Sequence, residues 1–323
     1  MTHITVWGLG PHAIKNILPA LASIDELTLY GVCSRNKDTV VHATEQWNCK
    51  AWTNPDEMLA DQKVDVVYLA TPIGLHAVQG MQVLNAEKHL WCEKPLTCDI
   101  ADTRQLVHLS EEKKLTLTEG FMYLYHPQFT YLQQCITEQH LGAVKSVTCR
   151  FGLPFLDNPG FRYSRSLGGG ALFDVGSYTI SMLLALFPDQ SPVVCYADIY
   201  GNDAYEIDLE GSAKLCFSGG IAAYLEWGIG RGYRNEIDIW CEKGSLFTDR
   251  IFSKPSDYVP EFRIKNLNGV ESVEQGVPAN HFIYMFKHFS KIIVSDTLVR
   301  NERQRILQLA CYLEEIRHAA QNI

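Results

Sequence analysis

Three side chains of this sequence have the chemistry to pass a proton to or from a carbonyl oxygen. Lys94 stands in the tripeptide Glu93-Lys94-Pro95, directly after a short apolar segment. A lysine at the end of a buried strand is costly unless it has partners or a task, and a Lys–Pro bond is of the type that adopts the cis form. Asp174 and Tyr178 lie four residues apart, so in a helix they would share one face. The alternative is that Asp174 caps this helix and Tyr178 is a helix-surface aromatic residue.

A glycine-rich turn is typical of the site that binds the cofactor for such chemistry. The pattern Gly8-x-Gly10-x-x-Ala13 follows the strand-like segment Ile4–Trp7 and opens a helix. The first glycine permits a tight turn, the second lets a pyrophosphate approach the backbone, and the small third residue allows close helix–strand packing. The alternative is an ordinary strand–helix turn. The residues that we expect to contact a dinucleotide here are Gly8, Gly10, Pro11, His12 and Ala13.

The end of the second strand predicts which dinucleotide is bound. Sites that prefer NAD usually carry Asp or Glu there, which bonds the ribose hydroxyls. This chain has Ser34, Arg35, Asn36 and Lys37 instead, and none of them is a carboxylate. A hydroxyl, a guanidinium and an ammonium suit a 2′-phosphate, so Ser34, Arg35 and Lys37 predict NADP in preference to NAD. The alternative is that these polar residues are simply the solvated start of a helix.

The first part of the chain reads as strands alternating with helices. Strand-like segments end at Trp7, Cys33, Ala70, Cys92 and Thr118, with helical patterns between them. Such alternation predicts a doubly wound parallel sheet of the Rossmann type, with the strand carboxyl ends along one edge. This edge would bring the following further residues to the cofactor: Thr71, Pro72, His76, Glu93 and Lys94. For His76, the alternative is a helix-surface histidine.

The pattern changes near residues 119–125. One helical segment, Gly168–Leu186, is followed by several β-rich segments separated by turns, which predicts a mainly antiparallel sheet. Two helical patterns close the chain. We therefore expect an α/β protein with an NADP-binding Rossmann domain, residues 1–122, and an α+β domain with an open-faced sheet, residues 123–323. The second domain would bind substrate and oligomerise, and the last helix is a candidate to pack back on the first domain.

Composition narrows the class of protein. The 323 residues are 46% hydrophobic and carry a formal net charge of -9, which disfavours binding to nucleic acid or an anionic membrane. Ten cysteines occur without a C-x-x-C pair, so neither a disulfide framework nor a metal site is expected. The start of the chain has no signal segment, and no apolar stretch of membrane-spanning length is apparent. These features predict a cytoplasmic protein.

Four motifs together carry a family resemblance. They occur in the following order: Gly8–Ala13, Glu93-Lys94-Pro95, residues 119–128 and residues 168–178. The combination resembles the Gfo/Idh/MocA family, named for glucose–fructose oxidoreductase, inositol dehydrogenase and a rhizopine-catabolism protein. The resemblance implies that Lys94 lies at the hydride-transfer site. Tyr178 is similar to the tyrosine that works with this lysine in the sugar-ketoreductase and dihydrodiol-dehydrogenase branches. Asp174 would position the sugar or tune the Lys94–Tyr178 pair.

Within that family, the sequence looks most like the nucleotide-sugar 3-ketoreductases. Phe151–Pro154, Phe161–Tyr163 and the triple glycine carry this likeness, and Arg162 and Arg165 would meet a pyrophosphate. We therefore expect an NADP-dependent oxidoreductase of a keto-sugar. The architecture predicts a homodimer or homotetramer through the second sheet, because large apolar sheet faces are seldom left in water. The alternatives are a dehydrogenase of free aldoses or trans-dihydrodiols, and a non-catalytic NAD(P)-binding regulator. The expected substrate-binding residues are Tyr123, His126, Arg162, Arg165, Asp174 and Tyr178.

Overall fold

The chain divides into two compact units. The computed structural model describes residues 1–157, 160–202 and 206–321. The first unit comprises Met1–Phe121 and Phe282–Ala310, and the second comprises Met122–His281 and Cys311–Ile323.

A six-stranded parallel sheet forms the centre of the first unit. Its strand order is β3-β2-β1-β4-β5-β6, and every pair is parallel. Near-continuous apolar runs build it, as expected for strands covered on both faces, and Val66–Leu69 is buried throughout. The predicted doubly wound sheet is confirmed. The strands are β1 Thr2–Trp7, β2 Leu27–Cys33, β3 Lys50–Trp52, β4 Val66–Leu69, β5 His89–Cys92 and β6 Leu117–Glu119.

Helices connect these strands. A π-helical turn, Ala13–Ile17, precedes the first of them, and asparagine or aspartate side chains cap α2, α3 and α5. The helices are α1 Leu18–Ala22, α2 Lys37–Trp47, α3 Pro55–Ala60, α4 Ile73–Asn85 and α5 Ile100–Glu112.

The second unit is built on an eight-stranded sheet. Its order is β14-β13-β12-β11-β7-β10-β9-β8, and all neighbours are antiparallel except β7 and β10. The predicted antiparallel sheet is confirmed in its main part, but its central strand β7 was missed by the sequence analysis. Its elements in chain order are α6 Pro127–Thr137, β7 Val144–Leu153, α7 Ser177–Leu186, β8 Val193–Asn202, β9 Ile207–Cys216, β10 Ala222–Ile229, β11 Arg234–Cys241, β12 Gly244–Asp249, β13 Glu261–Asn266 and β14 Glu271–Gln275. Two further helices follow, α8 His281–Ile292 and α9 Asp296–Gln321, and their residues Phe282–Ala310 belong to the first unit.

The helix expected over residues 168–186 begins later than the sequence pattern suggests. Gly168 and Gly170 have positive φ angles of 76° and 124°, which a right-handed helix does not accommodate. Leu172–Gly176 then winds as a π-helix, and α7 follows. Because α7 packs closely on β10, a Cβ on Gly176 would come within 3.0 Å of the Trp227 ring.

The segment Arg165–Leu186 corrects the expectation that the chain has no apolar stretch of membrane-spanning length. Within the described residues, Arg165–Leu186 is long and apolar enough to cross a membrane by length and composition alone. However, 83% of its most apolar 18-residue stretch is buried inside the molecule, as in the core helix of a globular protein. Glycines and polar residues interrupt this apolar stretch, so its length is not apparent from the sequence alone.

Candidate functional site

The turn after β1 fits a dinucleotide for two different reasons. Gly8 has a φ of 109°, and a Cβ there would lie 2.7 Å from the backbone carbon of Ala70, so the protein itself requires glycine. Gly10 is different, because no described atom from outside its own stretch of chain lies within 4 Å of the place its Cβ would take. Packing therefore does not explain the second glycine, whereas close approach of a pyrophosphate to the backbone does. Pro11 and His12 are exposed beside it, and Ala13 is buried at the start of the helix.

Two exposed cations stand at the end of β2. Arg35 and Lys37 are exposed, and neither forms an ion pair within the described part of the chain. The Ser34 hydroxyl accepts from the Asn36 amide at 3.3 Å, and Asn36 in turn caps α2 through the Thr39 amide. The helix start is thus satisfied without either cation, which leaves both available for a phosphate.

His76 joins two loops at the carboxyl edge of the first sheet. The side chain is only 1% exposed, so the alternative of a helix-surface histidine is wrong. Its Nε2 lies 2.8 Å from the carbonyl oxygen of Thr71, and its Nδ1 lies 3.2 Å and 3.1 Å from those of Pro95 and Leu96. Burial lowers the pKa of His76, although these carbonyls oppose the change. Its direct contact with a cofactor stays a prediction, and this geometry does not favour it.

The turn after β4, which His76 contacts at the Thr71 carbonyl, is also held by a second hydrogen bond. The Thr71 hydroxyl donates to Gln79 Oε1 at 2.6 Å, and Pro72 is the N-cap residue of α4. Thr71 and Pro72 therefore lie where β4 ends, at the same sheet edge as Gly8.

Lys94 follows β5, and its charge acts on the carboxylates of Glu93 and Glu119. The Lys94–Pro95 peptide bond is cis. The neighbouring Glu93 carboxylate accepts from the Tyr68 hydroxyl at 2.6 Å and lies 3.2 Å from His12 Nε2. Burial acts to raise the pKa of Glu93, but His12, Tyr68 and Lys94 together lower it. Glu93 is therefore ionised, and it links the glycine turn to the lysine.

Glu119 holds the backbone beyond the lysine and was given no role by the sequence analysis. Its Oε1 accepts from the Leu96 amide at 2.7 Å, and the side chain is 2% exposed. Its own backbone amide donates to Glu302 on α9, and Arg305 lies 3.7 Å from its Oε2. Burial raises the pKa of Glu119 to about 7, because Arg305 and the Leu96 amide offset only part of the desolvation.

In the second unit, Asp174 is fixed by an arginine. Arg162 Nε donates to Asp174 Oδ2 at 2.7 Å, and the Asp174 side chain is largely buried. Asp174 is not the helix cap that the alternative reading proposed, because it lies inside the π-helical turn. Arg165 is exposed at the start of a short 3₁₀ turn.

Tyr178 lies in an aromatic cluster, which we define as Tyr123, Phe151, Tyr178 and Phe252. Its ring centroid lies 5.9 Å, 5.2 Å and 5.4 Å from those of the other three residues, in that order. The side chain is 7% exposed, so the alternative of a helix-surface aromatic is wrong. The rings restrict where its hydroxyl can point, and that hydroxyl lies 3.6 Å from the Met122 sulfur.

Tyr123 of this cluster and His126 both lie in the segment before α6. The Tyr123 hydroxyl donates to Ser181 on α7 at 2.9 Å. His126 is 1% exposed, and its Nδ1 accepts from the Gln128 amide at 3.0 Å, which caps α6. Burial, followed by the charge of Lys254, lowers the pKa of His126 to about 3, so its ring is neutral. The structure thus gives both residues a clear packing or capping role.

Lys254 is a second group that the sequence analysis did not identify. Burial lowers its pKa to about 7, and its ammonium donates to the Ile251 carbonyl at 3.1 Å. It forms no ion pair with any described carboxylate. Only the apolar surroundings of the Arg250–Pro255 segment could have signalled this lysine.

Comparisons with known proteins agree with this arrangement. The model of the oxidoreductase family with an NAD-binding Rossmann fold matches residues 2–121, and the Gfo/Idh/MocA C-terminal domain model matches residues 129–247. The chain belongs to the Gfo/Idh/MocA oxidoreductase family. It is therefore an oxidoreductase with an NAD(P)-binding Rossmann domain, as the sequence motifs predicted. Within the described residues, no three His, Cys, Asp or Glu side chains gather to hold a metal ion.

Named members of this family resemble the chain over most of its length. A dTDP-3,4-didehydro-2,6-dideoxy-alpha-D-glucose 3-reductase from Saccharopolyspora spinosa is 31% identical over 85% of this chain and 82% of its own. The enzyme of that name from Actinomadura kijaniata is 28% identical over 99% and 96%. A solved 3-ketoreductase from Actinomadura kijaniata in complex with NADP and TDP-benzene is 27% identical, covers 98% of this chain and 97% of its own, and superposes with a TM-score of 0.92.

The raised pKa of Glu119 predicts a pH-dependent stability. The folded state holds this proton more tightly than the unfolded state, so the stabilisation is complete below about pH 4.5 and is lost as the pH rises to about 7. Glu119→Gln keeps an oxygen acceptor for Leu96 and removes the titration. We expect the unfolding free energy of this variant, relative to wild type, to increase from pH 4.5 to 7 and then level off.

Urea unfolding followed by circular dichroism at several pH values measures this difference. Glu112→Gln, an exposed glutamate at the end of α5, is the matched control and should follow wild type. Parallel curves for Glu119→Gln and wild type would show that Glu119 does not titrate in this range.

Proposed function

We propose that this chain is an NADPH-dependent ketoreductase that reduces a keto group on a nucleotide-linked sugar. The proposal depends above all on one observation, the likeness over nearly all of both chains to a 3-ketoreductase in complex with NADP and TDP-benzene. We also retain the cytoplasm as its predicted location.

The preference for NADPH is supported by the end of β2. Arg35 and Lys37 are exposed cations that form no ion pair with a described residue, and no acidic residue occupies positions 34–37. An Asp or Glu in this place would repel a 2′-phosphate, whereas a guanidinium pairs with it through two hydrogen bonds. Ser34 adds a hydroxyl donor. The glycine turn at Gly8 and Gly10 would hold the pyrophosphate.

The proposed mechanism gives each catalytic residue one task. When bound, NADPH supplies the hydride that adds to the carbonyl carbon. Lys94 and Tyr178 orient the carbonyl oxygen and provide the proton that this oxygen takes up as it becomes a hydroxyl. Glu93 and Glu119 hold the Lys94 loop, and the aromatic cluster aims the Tyr178 hydroxyl. Asp174, fixed by Arg162, orients the sugar.

The nucleotide-linked nature of the substrate is supported by the cations of the second unit. The net charge of the chain is -9, so a diphosphate would need local positive charge. Arg165 is exposed, and Arg162 uses its Nε for Asp174. We therefore assign Arg165 the main role on the diphosphate and Arg162 the task of linking that group to Asp174.

Loss of NADPH absorbance with a panel of carbonyl compounds tests the substrate class. The panel contains dTDP-linked keto-sugars and diketones, with free aldoses and trans-dihydrodiols assayed in the oxidative direction, and each is measured with both cofactors. We expect turnover of the nucleotide-linked compounds, and a kcat/KM at least tenfold higher with NADPH than with NADH. Turnover confined to free aldoses or dihydrodiols would contradict the proposed substrate.

Replacement of the two proton donors tests the mechanism. Lys94→Ala and Tyr178→Phe should each lower kcat by about 10²–10⁴-fold, the range for loss of a positioned acid. NADPH affinity, measured by fluorescence titration, should stay close to wild type. Lys63→Ala, an exposed lysine of the same unit, is the control. Wild-type turnover in Lys94→Ala would remove this residue from the mechanism.

We further propose that two copies of the chain associate through the outer face of the second sheet. The strand register places Asp238, Thr148, Tyr224 and Lys214 in one row across β11, β7, β10 and β9. Tyr224 is 43% exposed, and Trp240, two residues beyond Asp238 on the same face, is 66% exposed. Exposed aromatic side chains on a wide sheet are typical of a subunit interface.

Trp240→Arg tests this interface. In a two-fold interface each substitution occurs twice, so a buried arginine pair should weaken the dimer strongly. Light scattering after size-exclusion chromatography should show a dimer or tetramer for wild type and for the control Trp240→Phe, and smaller species for Trp240→Arg. A monomeric wild-type protein would contradict the proposal.

A further inference from the structure

The triple glycine before the π-helical turn is packed between two other segments of the second unit. A Cβ on Gly169 would lie 2.4 Å from the carbonyl oxygen of Arg162, and the Gly170 amide donates to that same oxygen at 3.0 Å. On its other side, a Cβ on Gly170 would lie 2.2 Å from Asp208 Oδ1. Only glycines fit here, so the turn connects the Arg162 segment to Asp208.

Asp208 lies near the beginning of β9 and binds the start of the helix that follows this turn. Its Oδ2 accepts from the Leu172 amide at 2.6 Å, and it also receives a hydrogen bond from the Ala171 amide. The first amides of a helix have no partner within the helix, and a carboxylate near them is stabilising. Asp208 therefore serves as a helix cap supplied from 36 residues further along the chain.

The capped helix carries the residues that the proposed mechanism uses. Asp174 is two residues beyond Leu172, and its amide makes an early hydrogen bond of the helix, to the Gly170 carbonyl at 3.1 Å. Tyr178 follows one turn later, in the first turn of α7. A shift at Leu172 would therefore move both side chains.

A cavity adjoins the cap on the side of Leu172 and Asp208. It has a volume of about 200 Å³ and is lined by Leu172, Phe173, Ile199, Asp208, Arg317 and Ala320. Ala171, Leu172 and Val175 are buried, so packing holds this segment as well, and the hydrogen bonds that Asp208 accepts fix its first amides.

We propose that Asp208 is a positioning residue of the reaction, which sets the place of Asp174 and Tyr178 by capping the helix that carries them. This role rests on the proposed function of Tyr178 as a proton donor. Asp208 acts through the helix and touches neither substrate nor cofactor. A displacement of about 1 Å at a reacting group is enough to lower a rate by about 10²-fold, so a cap can control turnover.

Two substitutions of Asp208 test the proposal. Asp208→Ala removes both acceptors, and Asp208→Asn keeps one oxygen in nearly the same place. We expect kcat to fall by about 10²-fold in Asp208→Ala and to recover at least tenfold of that loss in Asp208→Asn. The solvent isotope effect on kcat should increase in Asp208→Ala, because proton transfer becomes slower, while NADPH affinity stays unchanged.

A purely structural role would give a different result. Partial unfolding would lower kcat in proportion to the folded fraction and would leave the solvent isotope effect and the substrate KM as in wild type. That result would overturn the proposal, and so would wild-type turnover in Asp208→Ala. Asp189→Ala is the matched control, because Asp189 is an exposed acid just beyond the other end of α7.

Hydrogen exchange and a double mutant separate this proposal from the proposed function. Peptides covering residues 168–178 should exchange faster in Asp208→Ala than in wild type, whichever substrate the enzyme takes, and equal exchange would overturn the cap. In a Tyr178→Phe background, Asp208→Ala should cost much less than 10²-fold, because both changes disturb the same step. If Tyr178→Phe alone has wild-type turnover, the proposed proton donor fails; if it is impaired but the two losses multiply in full, the role of Asp208 fails.

Discussion

The loop that follows β5 carries the Lys94 ammonium group at the edge of an apolar sheet and must hold it in place. Buried side chains hold the loop by forming hydrogen bonds with its backbone. Glu119 accepts from the Leu96 amide, and His76 lies against the Pro95 and Leu96 carbonyls. These contacts fix Pro95 and Leu96, so Lys94 has little freedom. Removing such a buried partner would leave polar backbone groups unsatisfied, which costs more than the hydrogen bond itself contributes.

The carboxylates around this loop differ in protonation because their surroundings differ. Glu93 receives hydrogen bonds from Tyr68 and lies beside His12 and Lys94, so its pKa is lowered despite burial. At Glu119, Arg305 and the Leu96 amide offset only part of the desolvation by burial, so its pKa is raised to about 7. One acid thus balances the charge of Lys94, while the other mainly supports the backbone. Two glutamates of the same unit therefore have separate tasks, set by burial and partners.

In the second unit, a carboxylate likewise accepts hydrogen bonds from backbone amides, here at the start of a helix. The triple glycine lets the backbone of residues 168–170 approach Arg162 and Asp208, and the π-helical turn then leads into α7. π-Helical turns are rare and frequently occur at functional sites. Here the turn contains Asp174 and directly precedes Tyr178. The hydrogen bonds that Asp208 accepts, together with the ring contacts of the aromatic cluster, thus support the two residues that the sequence predicts to be reactive.

The sequence alone determined the two-domain α/β architecture, the glycine turn and the family, because periodicity and short motifs are local properties. It missed β7, whose apolar run is interrupted by Lys145 and Arg150, although this strand is central in the second sheet. Only the tertiary structure decided what Glu119, Asp208 and Lys254 do. Hydrogen bonds between distant segments give Glu119 and Asp208 their roles, and burial sets the pKa of Lys254. Neither effect leaves a periodic signal in the chain.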